Sequence, residues 1–114
     1  MSVLQTALEK FIGIYHANSQ LVSQLSGWDC SIALYASDTD ETISLQMNDG
    51  KVLTLAQPLT EVDLLVTTSA SVLFDVLELR RDPNEPYIFG ELTIQGPEAH
   101  FMRLDYVMTM LCPG

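Results

Sequence analysis

Basic residues are what this chain most lacks. Five Lys and Arg stand against fifteen Asp and Glu, a formal net charge of −10. A polyphosphate backbone is held by clustered cations, so no nucleic-acid partner is expected, and the same field disfavours adsorption to anionic membranes. The acidic residues are scattered, "DTDE" (Asp38 to Glu41) being the densest group, which reads as a solubilising surface. No apolar run approaches the roughly 18–20 residues of a membrane span, and no basic stretch precedes an apolar one at the N-terminus. A soluble, cytoplasmic protein without stable membrane insertion is expected. Of cysteines there are two, Cys30 and Cys112, with no C-x-x-C and no histidine-rich neighbourhood. Incidental or buried thiols are expected, not a disulfide.

The parts of an active site are equally scarce. His16 and His100 are the two histidines. His16 sits in the polar "HANSQ" and reads as solvated, and His100 in the first turn of a helix reads as exposed or satisfied. Neither has a second ligand at metal spacing. No G-x-S-x-G elbow is present. Asp38, Asp40 and Glu41 resemble a fragment of a calcium loop without its central glycine and terminal glutamate. The spacing of Gly90 and Gly96 is that of a phosphate loop, yet no Gly-Lys-Ser/Thr follows. The pair Arg80-Arg81 follows a helix, where cations meet the dipole favourably. The expectation is a protein that is not an enzyme and carries no cofactor and no metal.

What the chain does have is apolar periodicity. With 114 residues and 47% hydrophobic composition, one domain over 1–114 should bury roughly two-thirds of its unfolded surface. Leu4, Leu8, Phe11, Ile12 and Tyr15 recur at three and four, so 1–26 is a helical segment with "HANSQ" as a candidate break into two helices. From Trp28 the period becomes two. Cys30, Ile32 and Leu34 alternate, then Ile43, Leu45 and Met47, and Asp49-Gly50 marks a type I′ hairpin. The return over Lys51 to Ala56, ended by Pro58, and a fourth strand at Val62, Leu64 and Val66 complete an antiparallel four-strand meander over 28–67, with a polar face along Thr42 to Asn48. Ser69 caps a helix over 69–79, Arg80 to Pro86 is a loop, and a fifth strand covers 87–95. The final helix, 97–111, is apolar on two sides, with Phe101, Leu104, Met108 and Leu111 on one and Met102, Tyr106 and Met110 on the other. Packing between the sheet and the N-terminal helix, or adaptable methionine-rich surface for a ligand or partner, accounts equally for it.

The Trp-led strand, the D-G hairpin, "EVDLLVTTSASVLFDVL" and "FGELTIQGPEAHFMRL" together resemble the SCP-2 (sterol carrier protein 2-like) family. The resemblance covers the chain from about Trp28 onwards. It implies an α+β fold in which a curved, mainly antiparallel five-stranded sheet is covered by N-terminal, middle and C-terminal helices around an apolar tunnel. It implies further that Gly90 lets the fifth strand pass close to a neighbour, and that Gly96 permits the turn into the last helix. The tunnel lining it implies is Phe74 and Leu77 from the middle helix, Phe89, Leu92 and Ile94 from the fifth strand, and Phe101, Leu104, Met108 and Leu111 from the last helix. The implied function is non-catalytic binding of a lipid-like apolar molecule (fatty acyl, sterol-like or isoprenoid/quinone), as carrier or accessory module. The alternative is an interaction module with a filled core, acting as a homodimer or on a protein partner. This chain departs from the family where the middle helix ends, having "LELRRDPNEP" in place of a glycine.

Overall fold

Asn18 divides the N-terminal segment: its backbone leaves the helical region, and its side-chain Oδ1 accepts a hydrogen bond from the Leu21 N–H at 3.1 Å. That cap separates α1 (Val3–Ala17) from α2 (Ser19–Gln24), since a carboxamide at an N-cap satisfies one of the orphan donors of the helix it starts. The computed structural model describes residues 3–54 and 61–111. The strand residues Leu55 and Ala56, the stop at Pro58, and Cys112 lie outside that range.

The chain continues through β1 (Cys30–Ala36), β2 (Glu41–Asn48), β3 (Lys51–Thr54), β4 (Leu64–Thr68), α3 (Ala70–Leu77), α4 (Asn84–Ile88), β5 (Thr93–Gln95) and α5 (Glu98–Leu111). The strands form one sheet in the order β3-β2-β1-β4-β5. The Asp49-Gly50 turn closes β2 on β3 as expected, both residues having positive φ (53° and 79°). Its Asp49 Oδ1 accepts from the Gly27 N–H at 2.7 Å, and the buried Tyr15 hydroxyl donates to the Gly50 carbonyl at 2.5 Å. His16, expected to be solvated, is exposed but not idle: Nε2 accepts from the Val52 N–H on edge strand β3 at 3.1 Å. An edge N–H that would otherwise be open to another strand is thereby covered.

The four-strand meander is corrected. β1 pairs antiparallel with β2, and β2 with β3, but β4 lies on the far side of β1 and runs parallel to it, with Ile32 opposite Leu64 and Ala36 opposite Thr68. β1 is buried at five of its seven positions (pattern BiBBBiB). A strand that apolar needs a neighbour on each side, whereas a meander would leave it at the edge. Asp63 locks the parallel start. Its N–H donates to the Ser31 carbonyl at 2.9 Å, and its Oδ2 accepts from the Ser31 N–H at 3.0 Å and from the Ser31 hydroxyl at 3.2 Å.

The fifth strand is corrected too. Of 87–95 only Thr93–Gln95 is strand, antiparallel to β4. The stretch read as a loop and strand start instead makes the single-turn helix α4, with Pro83 at its cap and Pro86 in its first turn, where a missing N–H is harmless. The β-prone Tyr87-Ile88-Phe89 is overridden by those two prolines and by Gly90, which takes a left-handed φ of 78° just past the helix. Gly90 therefore has a different task from the one expected, and Gly96 keeps its own and takes on a second. A Cβ on Gly90 would meet nothing within 4 Å, so Gly90 turns the chain. A Cβ on Gly96 would lie 2.1 Å from the Asp63 carbonyl oxygen, so Gly96 is the close approach as well as the turn into α5.

α3 begins as expected, with the Ser69 hydroxyl accepting from the Val72 N–H at 3.3 Å, and it ends at Leu77. Leu79 then takes φ 59°, the left-handed position at which a glycine is the usual terminator. Helix α1 packs on α3, where Lys10 reaches Glu78 at 3.1 Å. Ile32 and Leu34 of β1, Leu45 of β2, Val66 of β4 and Ile94 of β5 share the face that the helices cover. Gln46, Tyr35 and Thr67 belong to the opposite, wetter face.

Candidate functional site

Covering a sheet with helices of unequal length leaves a gap where they do not meet. Here that gap is a cavity of about 90 Å³ whose wall is almost wholly carbon. Its floor is Ile32, Leu34, Leu45, Val66 and Ile94. Leu8 and Phe11 of α1 and Leu73, Val76 and Leu77 of α3 form one flank. Phe101, Leu104, Asp105 and Met108, at three- and four-residue spacing on α5, form the other. At the mouth stand Pro83, Asn84 and Tyr87, and the Tyr87 ring meets that of Phe101 edge-on at 5.5 Å.

Of the residues that the resemblance assigned to a tunnel, the fold brings Leu77, Leu92, Ile94, Phe101, Leu104 and Met108 to this cavity. Three lie elsewhere. Phe89 sits past the end of α4 and is 75% exposed, because the segment is a helix and turn, not a strand. Phe74 packs against the core from outside, with the Arg80 guanidinium 5.6 Å above its ring. Leu111 is half-buried at the end of α5. The sequence reading missed the α1 contribution, Leu8 and Phe11, although the apolar stripe that carries them was visible, and it missed Asp105, whose signal is only its four-residue offset from Phe101.

A larger, polar depression of about 670 Å³ lies open on the surface, between Ser37, Thr67 to Ser69, Ser71, Arg81, Glu91 and Thr93. The carbon-walled cavity is the better candidate despite its size, because the groups of the depression already serve the fold. The Thr68 hydroxyl donates to the Glu91 carbonyl at 2.9 Å, Asp38 takes the Ala70 N–H at the start of α3, and Arg81 bridges Glu85 and Glu91 at 3.1 and 3.0 Å. The acidic turn that resembled part of a calcium loop is engaged in the same way. Asp38 binds α3, and Asp40 accepts from the Tyr35 hydroxyl at 2.7 Å.

One cluster was invisible to spacing. Cys30, Asp63 and His100 converge with a ligand atom from each within 4.8 Å of the others. His100 and Asp63 already serve the fold. The Trp28 indole N–H donates to His100 Nδ1 at 2.9 Å, tying α5 to the start of β1, and Asp63 holds Ser31. A metal on the other ring nitrogen would require a proton on Nδ1, facing the indole proton. Burial, and then the Asp63 charge, push the Cys30 thiol up to about 12, while Arg103 acts weakly the other way. At neutral pH the thiol stays protonated. Raising pH through about 9 to 12 therefore costs stability, since the unfolded chain ionises first. Alkylation of native Cys30 by iodoacetamide at pH 8, followed by peptide mapping, should run roughly 30-fold slower than in urea, the lowered thiolate fraction being partly offset by the greater nucleophilicity of a more basic thiolate. Equal rates would show that the thiol is neither buried nor shifted.

The comparisons with known proteins bear on this arrangement. The model of the SCP-2 sterol transfer family matches residues 8–109. The chain belongs to that family. By sequence, no curated protein matches it. Among solved structures it is similar to a UbiJ-SCP2 ubiquinone synthesis protein, at 18% identity and a TM-score of 0.69, covering 96% of this chain and 95% of that one. It is also similar to sterol carrier protein 2, at 14% identity and a TM-score of 0.62, with 93% of each chain covered. A third neighbour is the inverting sec-alkylsulfatase Pisa1 from Pseudomonas sp., at 15% identity and a TM-score of 0.62; 82% of this chain matches 14% of that enzyme. At these identities the likeness is one of fold. It establishes the SCP2-like α+β architecture, a mainly antiparallel five-stranded sheet with helices at both ends and in the middle, for this member of the family. Among the described residues no helix is long and apolar enough to cross a membrane.

Proposed function

We propose that the protein binds an apolar, lipid-like molecule between the sheet and α3 to α5, as a carrier or accessory module, and performs no covalent chemistry on it. The supporting observation is the carbon-walled cavity beneath α5 in a chain of the SCP-2 sterol transfer family. Its wall holds no serine, cysteine, lysine or histidine, so what it offers a ligand is burial of apolar area, roughly 25 cal/mol per Å².

At about 90 Å³ the cavity is smaller than the ~300 Å³ of the smallest usual ligand sites. A fatty acyl chain, sterol or isoprenoid quinone therefore enters by displacing part of the cover. Helix α5 is the element to move, because its inner face carries the unbranched Met108 and its lining residues Phe101 and Leu104 are only half-buried. The small volume also favours a second reading, an interaction module with a filled core. Ile88 (76% exposed), Met102 (61%) and Met110 (49%) would then face a second copy or a partner protein.

Native mass spectrometry of freshly purified protein, with extraction of whatever adds mass, separates the two. A stoichiometric lipid adduct is expected. A bare mass, with no uptake from offered fatty alcohols, sterols and quinones, would sink the carrier reading, and a dimer in the same spectrum would put the interaction module in its place. Fractionation of cells would test the cytoplasmic location expected from the sequence.

A further inference from the structure

The cavity reaches water along one short stretch. Of the residues that line it, the exposed ones are Asn84 and Tyr87, both on α4, and every other is buried or half-buried. Across that opening lies α5, whose Phe101 ring meets the Tyr87 ring edge-on at 5.5 Å. The two rims are held differently. α4 is fixed to the body of the fold: Pro86 is buried, its carbonyl accepts from the Glu91 and Leu92 N–H groups at 2.8 and 3.1 Å, and Arg81 joins Glu85 to Glu91. α5 is tied elsewhere. His100 Nδ1 accepts from the Trp28 indole at 2.9 Å, and the Tyr106 hydroxyl donates to Gln24 of α2 at 2.5 Å. At 3.6 residues per turn, Tyr106 stands roughly 140° around the helix from Phe101, so that tie lies on the side of α5 turned away from the Phe101 contact. Among the described residues no hydrogen bond or ion pair joins α4 to α5.

Resting on the apolar-ligand reading above, we infer that the ligand enters and leaves between α4 and α5, and that Tyr87 is the gate. α5 swings on its ties to Trp28 and Gln24, the Tyr87 and Phe101 rings part, and an apolar tail passes between them into the carbon-walled space. A ring pair suits such a closure. It excludes water while shut, and parting it exposes apolar carbon without stranding a buried donor or acceptor. Opening on the other side of α5 would instead leave the indole N–H of the buried Trp28 without its acceptor. Tyr87 itself is exposed, so it adds little buried area around a bound molecule. The gate therefore sets how fast a ligand exchanges more than how tightly it is held.

Stopped-flow mixing with the neutral dye Nile red, followed by a chase with decan-1-ol, reads the rates of entry and release. In Y87A both rates should rise at least about threefold, the worth of one aromatic pair, with their ratio, the affinity, held within about twofold. F101L should quicken exchange from the other rim, and carries the test if Y87A does not fold. Y87F keeps the ring and should match the unmodified protein. Y106F removes the hydroxyl that ties α5 to Gln24 and should leave both rates as they are. Faster exchange in Y106F and not in Y87A would move the entrance to the α2 side and overturn the gate. Equal quickening in both would mean that α5 departs as a whole, and unchanged rates in Y87A and F101L that the rings close nothing. Either result overturns the gate while leaving the apolar-ligand reading intact. Failure of Nile red and decan-1-ol to bind at all would overturn that reading, and the gate with it.

Discussion

Gly96→Ala is expected to cost at least about 3 kcal/mol, a large fraction of a small domain's stability, and to free α5 from the sheet. The added Cβ would lie 2.1 Å from the Asp63 carbonyl oxygen and 2.7 Å from Leu64 Cδ2. The first of these is backbone, held by the Ser31–Asp63 lock at the start of β4, and cannot swing aside as a long side chain could. A φ of 147° adds strain that an L-residue rarely tolerates. Gly90→Ala is the comparison: it also has positive φ but open space around it, and should cost about 1 kcal/mol. Urea melts of both variants would check this. Equal, small losses would mean that β4 and the β5–α5 corner do not approach so closely. A large loss at Gly96 alone would place the joint between sheet and cover there.

Leu77→Ala is expected to lower the stability of the empty protein by about 2–5 kcal/mol, because Leu77 is 5% exposed and its truncation removes buried methyl groups from the core. The same substitution enlarges the cavity that Leu77 lines. If the cavity takes an apolar ligand, decan-1-ol should recover part of the loss, since a ligand at 100 times its dissociation constant stabilises by about 2.7 kcal/mol. Phe74→Ala controls for general loosening, because Phe74 packs on the core without lining the cavity, and it should lose stability without that recovery. Thermal melts with and without decanol read both effects. Recovery at neither site would speak for the filled core, and equal recovery at both for nonspecific binding of the alcohol. The two substitutions test different links: Gly96 asks whether the cover is anchored where the backbone crosses, and Leu77 whether the space beneath it is used.

The sequence by itself determined a good deal. The change of hydrophobic period at Trp28, the break within "HANSQ", the Asp49-Gly50 hairpin, the cap at Ser69 and the final helix from Glu98 are local events, each written within a few residues, and each stands in the structure where it was read. The motifs "EVDLLVTTSASVLFDVL" and "FGELTIQGPEAHFMRL" carried the family as well. Period and capping could not say which strand β4 would join. That depended on β1 being apolar enough to need two neighbours, and on Asp63 finding Ser31, 32 residues away. Nor could they hold Tyr87 to Phe89 as strand against two prolines and a left-handed glycine. The same limit applies to the site. Leu92, Ile94, Phe101, Leu104 and Met108 lay on stripes that any core would require, so their pattern could not distinguish lining from filling. Leu8, Phe11 and Asp105 joined them only because α1, α3 and α5 leave a gap over the sheet. The gap is a difference between packed volumes. It is a sum over contacts distant in sequence, which no local pattern contains and only the tertiary structure decides.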